Sequence, residues 1–245
     1  SSGNASEQQQ HQQQRFLVRV VDLFAAGGPA ATRLLGVVSN VFNAMTGGLD
    51  AIENKDILSW LDTLESFAKG VVSFCTPWDL PSVDFLETCG VEIYKVASAD
   101  LTNHQLLERI AATGKPMICS TGMAKEEEIA AASELLKARG ASFVLLHCNS
   151  TYPAPFKDIN LPYMGKLRKY CPIVGYSGHE RGFHVALGAV ALGANIIEKH
   201  FTVDKGMEGV DHRVSLLPDE MKAMVQQIRE LEAAMQLKYA TRTMS

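Results

Sequence analysis

Val71-Val-Ser-Phe-Cys75, Ile93-Tyr-Lys-Val-Ala97, Met117-Ile-Cys119, Phe143-Val-Leu-Leu-His147, Ile173-Val-Gly175 and Asn195-Ile-Ile-Glu-Lys-His200 are six short, mostly apolar runs rich in β-branched residues. Counted from Val71 to Ile196 they span 125 residues in five intervals of 25, the length of a strand plus a crossover helix. Between them lie helical patterns such as Glu126 to Arg139. Near-continuous apolar strands separated by amphipathic helices predict a parallel sheet covered on both faces. That leaves an open doubly wound sheet or a closed (β/α)8 barrel. No G-x-G-x-x-G follows a strand, so the nucleotide-binding form of the open sheet loses support. Polar residues collect just past the runs, at Thr76, Asp79, Ser98, Asp100, Ser120, Thr121, Asn149, Ser150, Ser177, His179 and His200. In a barrel this carboxyl rim is where chemistry sits.

Outside this region the pattern weakens. Residues 1–14 hold six Gln and a single charged residue, too little apolar surface to offset ordering, and read as a disordered tail. Residues 15–69 form a divergent N-terminal segment. In it, Phe16 to Phe24 and Leu34 to Phe42 each suit a buried strand or part of a helix, whereas Ile52, Ile57, Trp60, Leu61, Leu64 and Phe67 predict a helix over Asp50 to Lys69. Its 55 residues have room for two more strand-helix units, so the fold class expected is a TIM-type (β/α)8 barrel whose first two units are irregular or missing. The barrel proper is assigned to 70–236, with a last helix from Pro218 to Met235 and a tail at 237–245.

Composition narrows the partners. The net charge is 23 − 27 = −4 and 47% of residues are apolar, which makes nucleic acid and anionic membrane poor partners. No apolar run reaches the roughly 18–20 residues of a membrane span, and the polar start lacks a secretory pattern, so a cytoplasmic location is expected. Five cysteines without a C-x-x-C pair suggest neither a disulfide framework nor a thiolate zinc site.

Seven segments go further. Ser73-Phe-Cys-Thr-Pro-Trp-Asp79, Tyr94-Lys-Val-Ala-Ser-Ala-Asp-Leu-Thr-Asn103, Gly114-Lys-Pro-Met-Ile-Cys-Ser-Thr-Gly-Met123 and Leu145-Leu-His-Cys-Asn-Ser-Thr-Tyr-Pro-Ala-Pro155 come first. Val174-Gly-Tyr-Ser-Gly-His179, Ile197-Glu-Lys-His-Phe-Thr-Val-Asp204 and Gly209-Val-Asp-His212 follow. In order and spacing, over roughly residues 70–235, they resemble the sialic acid synthase family. The resemblance implies condensation of phosphoenolpyruvate with N-acetylmannosamine, its 6-phosphate or a related N-acetyl-hexosamine. Carbon 3 of phosphoenolpyruvate attacks an aldehyde, water adds at carbon 2 and phosphate leaves, which calls for cations around the anion, a metal or acid on the aldehyde oxygen, and an acid/base group.

By the same resemblance His179 and His200 hold a divalent cation, Mn2+ or Mg2+. Lys95 is a catalytic cation that lines the phosphoenolpyruvate pocket with Thr76, Ser98, Ser120 and Ser177, and Asp211 is a catalytic acid near the sugar and the metal. Tyr152 and Asp100 are sugar contacts, and a homodimer is a possible assembly. Three residues have independent readings. An ammonium at Lys95, inside an apolar strand, needs a compensating anion or a structural salt bridge. His147 reads as a hydrogen-bonded core histidine, and Glu198 shares a strand face with His200, as a partner to the site. The family's Glu on the first strand and Lys on the second are not matched in residues 1–69, and the 45 residues after His200 are too few for the antifreeze-like domain that often follows. These departures keep open a catalytically impaired binding or assembly subunit, or a phosphoenolpyruvate-using synthase with another sugar.

Overall fold

The computed structural model describes the backbone of residues 34–39 and the full chain of 74–235. Among the described residues six parallel strands form one sheet: β1 (Leu34–Ser39), β2 (Tyr94–Val96), β3 (Met117–Ser120), β4 (Phe143–Cys148), β5 (Val174–Gly178) and β6 (Ile196–Phe201). Helices α1 (Leu80–Thr88), α2 (His104–Ala111), α3 (Glu126–Ala138), α4 (Tyr163–Leu167), α5 (His184–Ala191) and α6 (Pro218–Ala234) alternate with them.

Strand order decides the architecture. It runs β1-β6-β5-β4-β3-β2, with Cys75 bridged to Tyr94 beyond β2. Every neighbour is next in sequence except β1, which lies beside the last strand. This is the order of a ring of parallel strands opened at one place, whereas a doubly wound sheet reverses its order in the middle. Of the ambiguous run Leu34 to Phe42, the described part, Leu34–Ser39, is a strand in register with β6, Val38 opposite His200. The expected tail, the run Phe16 to Phe24, the helix at Asp50 to Lys69 and the residues at 237–245 lie outside the described residues. So does most of Val71 to Cys75.

Period-two alternation gives the sheet two cores. On one side Ile93, Ile118, Val144, Leu146 and Ile196 meet in the barrel interior, and on the other Tyr94, Val96, Met117, Leu145, Val174 and Ile197 pack under the helices. Helix starts are set by local chemistry. Asp79 Oδ1 accepts from Ser82 N–H at 2.8 Å to open α1, and Glu220 Oε2 accepts from Leu217 N–H at 2.8 Å to open α6 behind Pro218. Gly140, at φ +65°, ends α3 in the left-handed conformation that leads into β4. Among the described residues no helix is long and apolar enough to cross a membrane.

Candidate active site

Following the inward-facing positions toward the carboxyl ends of the strands, the apolar interior gives way to Lys95, Ser120, Cys148, Ser177, Glu198 and His200, all buried. Lys95, Ser120, Cys148, Ser177 and Glu198 each stand two residues beyond an interior apolar residue or glycine, and His200 two beyond Glu198, so alternation alone brings them to one mouth.

Lys95 is the hub of the lower tier. Its ammonium donates to Ser120 Oγ at 2.8 Å and to the Val96 carbonyl at 3.0 Å, and lies 3.7 Å from Glu198 Oε1. Ser177 Oγ donates to the same carboxylate oxygen at 2.7 Å. Of the two compensations expected for Lys95, the structure contains the salt bridge, and it faces into the mouth. Glu198 therefore belongs to the site, joining Lys95 to Ser177.

The upper tier is a triangle of rings. Tyr152 stacks on His179 with centroids 4.1 Å apart, His200 meets His179 edge-on at 5.1 Å, and Tyr152 meets His200 edge-on at 5.5 Å. His179 Nδ1 contacts the Asn149 carbonyl at 2.7 Å, which requires a proton on Nδ1 and leaves the Nε2 lone pair free to accept from the Tyr152 hydroxyl at 2.9 Å. Burial lowers the pKa of His179, and burial followed by the neighbouring His179 pushes His200 down to about 3, so both imidazoles are neutral at pH 7. Burial raises the Tyr152 phenol, with smaller contributions from Cys148, Asp211 and Glu198. Asp211, on the short 3-10 turn Asp211–Arg213, thus lies within electrostatic reach of the Tyr152 phenol.

The remaining expected residues sit around this core. Ser98 Oγ accepts from Gly122 N–H at 3.1 Å, which engages part of its capacity in holding the β3 loop. Thr76 is half-buried just past the Cys75 bridge. Asp100 lies on the turn after β2; its Oδ2 is buried without a hydrogen-bond partner, and burial raises its pKa. His147 is the core residue expected: it faces the helices and its Nε2 donates to the Ile159 carbonyl at 2.7 Å. His212 is buried with Nδ1 2.8 Å from Thr202 Oγ1, an anchor for the loop that carries Asp211.

Two features escaped the sequence reading. Cys148 lies at the inward rim, its Sγ 3.5 Å from His179 Nδ1, and strand alternation from Val144 through Leu146 was the signal for it. Glu180 and Lys199, on the helix side, form a fully buried ion pair at 3.1 Å.

The two imidazoles suit a divalent transition-metal ion, since both are neutral and Nδ1–H of His179 is committed to a carbonyl. Among the described residues, no group of three or more His, Cys, Asp or Glu is arranged to hold a metal ion.

Fold and mouth together define a parallel α/β barrel whose polar site is carried on the carboxyl ends of its strands. Residues 58–239 match the NeuB family, and the chain belongs to that family. The N,N'-diacetyllegionaminic acid synthase of Campylobacter jejuni is 49% identical over 164 residues, 65% of this chain and 49% of that protein. The N-acetylneuraminate-9-phosphate synthase of Homo sapiens is 37% identical over 176 residues, 70% and 49% of the two chains. The chain thus spans about half the length of these relatives. Among solved structures, the N-acetylneuraminic acid synthetase of Leptospira borgpetersenii in complex with citrate superposes with a TM-score of 0.72 at 34% identity, covering 86% of this chain and 77% of that one.

Proposed function

We propose that this chain is the barrel of a synthase that condenses phosphoenolpyruvate with an N-acetyl-hexosamine aldehyde, giving a sialic-acid-type sugar and phosphate. The observation that carries the reading is the two-tier mouth, a buried ammonium with hydroxyl donors beneath a pair of neutral imidazoles. Lys95 supplies positive charge to the phosphate or carboxylate of phosphoenolpyruvate, and Ser120 and Ser177 supply hydroxyl donors that turn toward the same anion. Thr76 and Ser98 extend that pocket along the rim.

His179 and His200 would hold the divalent cation, Mn2+ in preference to Mg2+ because both donors are nitrogen. When bound, the cation polarises the aldehyde oxygen of the acceptor. Tyr152 and Asp100 bind and orient the sugar. Asp211 handles the proton at the acceptor end, and Glu198 keeps Lys95 and Ser177 in place from below. The pocket excludes bulk water from the ammonium and the imidazoles, which strengthens each charge it presents to the transition state.

The name of the 49%-identical relative supports a second acceptor, a diacetamido sugar aldehyde in place of N-acetylmannosamine. Calorimetric titration of phosphoenolpyruvate into the Mn2+-loaded protein, with His200→Ala as control, tests the proposal. Binding that requires both the metal and His200 is expected, and product formation is then assayed with the two aldehydes. A folded protein that binds no phosphoenolpyruvate in Mn2+ removes the reading.

A further inference from the structure

Behind the two imidazoles, on the opposite face of the sheet, Lys199 and Glu180 are both fully buried. The Lys199 ammonium donates to the backbone carbonyl of Glu180 at 2.8 Å and to its carboxylate at 3.1 Å. Tyr176 donates its hydroxyl to the other carboxylate oxygen at 2.6 Å. Glu180 directly follows His179, and Lys199 directly precedes His200. β5 and β6 pair with Gly178 opposite Lys199, so the ion pair ties the two strand ends where the imidazoles leave them.

We propose that Glu180 and Lys199 are positioning residues, a buried ionic clasp that fixes the orientation of His179 and His200 without touching either ring. Stability does not explain the pair. Two charges withdrawn from water regain through their attraction little more than the desolvation they cost, and apolar side chains of the same volume hold a core as well. What apolar residues cannot do is bond a specific backbone carbonyl. The Lys199 contact to the Glu180 carbonyl fixes the main chain one residue past His179, and that main chain sets whether Nδ1 meets the Asn149 carbonyl.

Gly178 supports the same inference independently. A Cβ at that position would lie 2.7 and 2.9 Å from the two Glu180 carboxylate oxygens and 2.8 Å from the Tyr176 ring. Only a residue without a side chain lets the carboxylate fold back under the strand. The backbone there is extended and needs no glycine for its own conformation.

The consequence for cation binding rests on the function proposed above, whereas the fixed ring orientation does not, and the test separates them. The variant Glu180→Gln/Lys199→Met removes both charges together, preserves volume and leaves no unpaired ion. In the metal-free wild type, the imidazole 15N shifts of His179, assigned by loss of its signals in His179→Gln, are expected to show one tautomer with the proton on Nδ1. In the folded double variant the two shifts converge as the tautomers mix, and Mn2+ binds roughly tenfold or more weakly, the usual loss when a group behind a metal ligand is removed.

If the double variant does not fold, Glu180→Ala and Glu180→Asp take its place, the second returning a carboxylate to the same backbone position one methylene shorter. Loss of the fixed tautomer in the first and its recovery in the second bear the proposal out. Wild-type shifts and wild-type Mn2+ affinity in the folded double variant, or wild-type shifts in Glu180→Ala, overturn it. A wild type that shows the single tautomer but binds no Mn2+ defeats the functional reading and leaves the clasp standing.

Discussion

At the scale of the residue, Lys95 shows how a site charge and a structural charge can be one group. Its ammonium is buried, bonded to Ser120 and close to Glu198. Lys95→Met leaves the Glu198 carboxylate buried with Ser177 as its remaining named donor, so the variant is expected to lose about 3 kcal/mol of stability by urea titration. Lys95→Met/Glu198→Leu removes the stranded charge and is expected to recover most of that loss. Phosphoenolpyruvate binding stays absent in both, which separates the two roles. A double variant that regains binding along with stability would assign Lys95 to the core alone.

The sequence made Lys95 conspicuous because an ammonium in an apolar strand demands a partner. It did not show which, since Glu198 lies on a strand four places further along the sheet. His179 and His200 were legible from the family motifs, but the Asn149 carbonyl that sets the His179 tautomer was not, because a backbone acceptor carries no side-chain signature. Glu180 and Lys199 read as ordinary charges beside two more conspicuous histidines. Only the helix-side burial of both reveals that they are a pair.

At the scale of the element, β5 depends on a residue with no side chain. A Cβ at Gly175 would run into the Ile196 backbone oxygen, and would also stand 2.6 Å from Leu146 Cδ2 and 2.9 Å from Ile196 Cβ. Gly175→Ala therefore pries β5 from its neighbours at the level of the interior apolar layer. The expected cost is about 1–3 kcal/mol, the range for overpacking a filled core, read as a lowered urea midpoint with an unchanged slope. An alanine variant as stable as wild type would show that the strands separate there without penalty. The same crowding explains why the sequence underestimated this strand. The apolar pattern stops at Ile173-Val-Gly175, yet the ladder continues through Tyr176, Ser177 and Gly178, whose polar groups look like a loop until the ring of strands buries them. The 25-residue spacing was legible because a strand and its crossover helix must fill it. The first quarter was not, since a short apolar run such as Leu34 to Phe42 fits either element until β6 supplies a ladder for it.

At the scale of the molecule, a ring of strands forces its histidines into unlike surroundings that share one property, burial without a full charge. His147 faces the helices, near Tyr163 and Tyr176, while His179 and His200 face the mouth. All three have lowered pKa values, each with burial as the largest cause. Below about pH 6.5 an unfolded imidazole takes up a proton that the folded one refuses, so the unfolded state binds more protons and stability falls as pH falls. Each such histidine steepens the fall by up to about 1.4 kcal/mol per pH unit, until its own folded pKa is reached. The metal-free protein is expected to lose stability steadily from pH 7 to pH 5 in urea titrations. His147→Gln keeps a donor for the Ile159 carbonyl but cannot titrate, and isolates one contribution far from the mouth. Its stability is expected to depend less steeply on pH than that of the wild type over the same range, while equal slopes would mean that His147 is protonated as readily folded as unfolded.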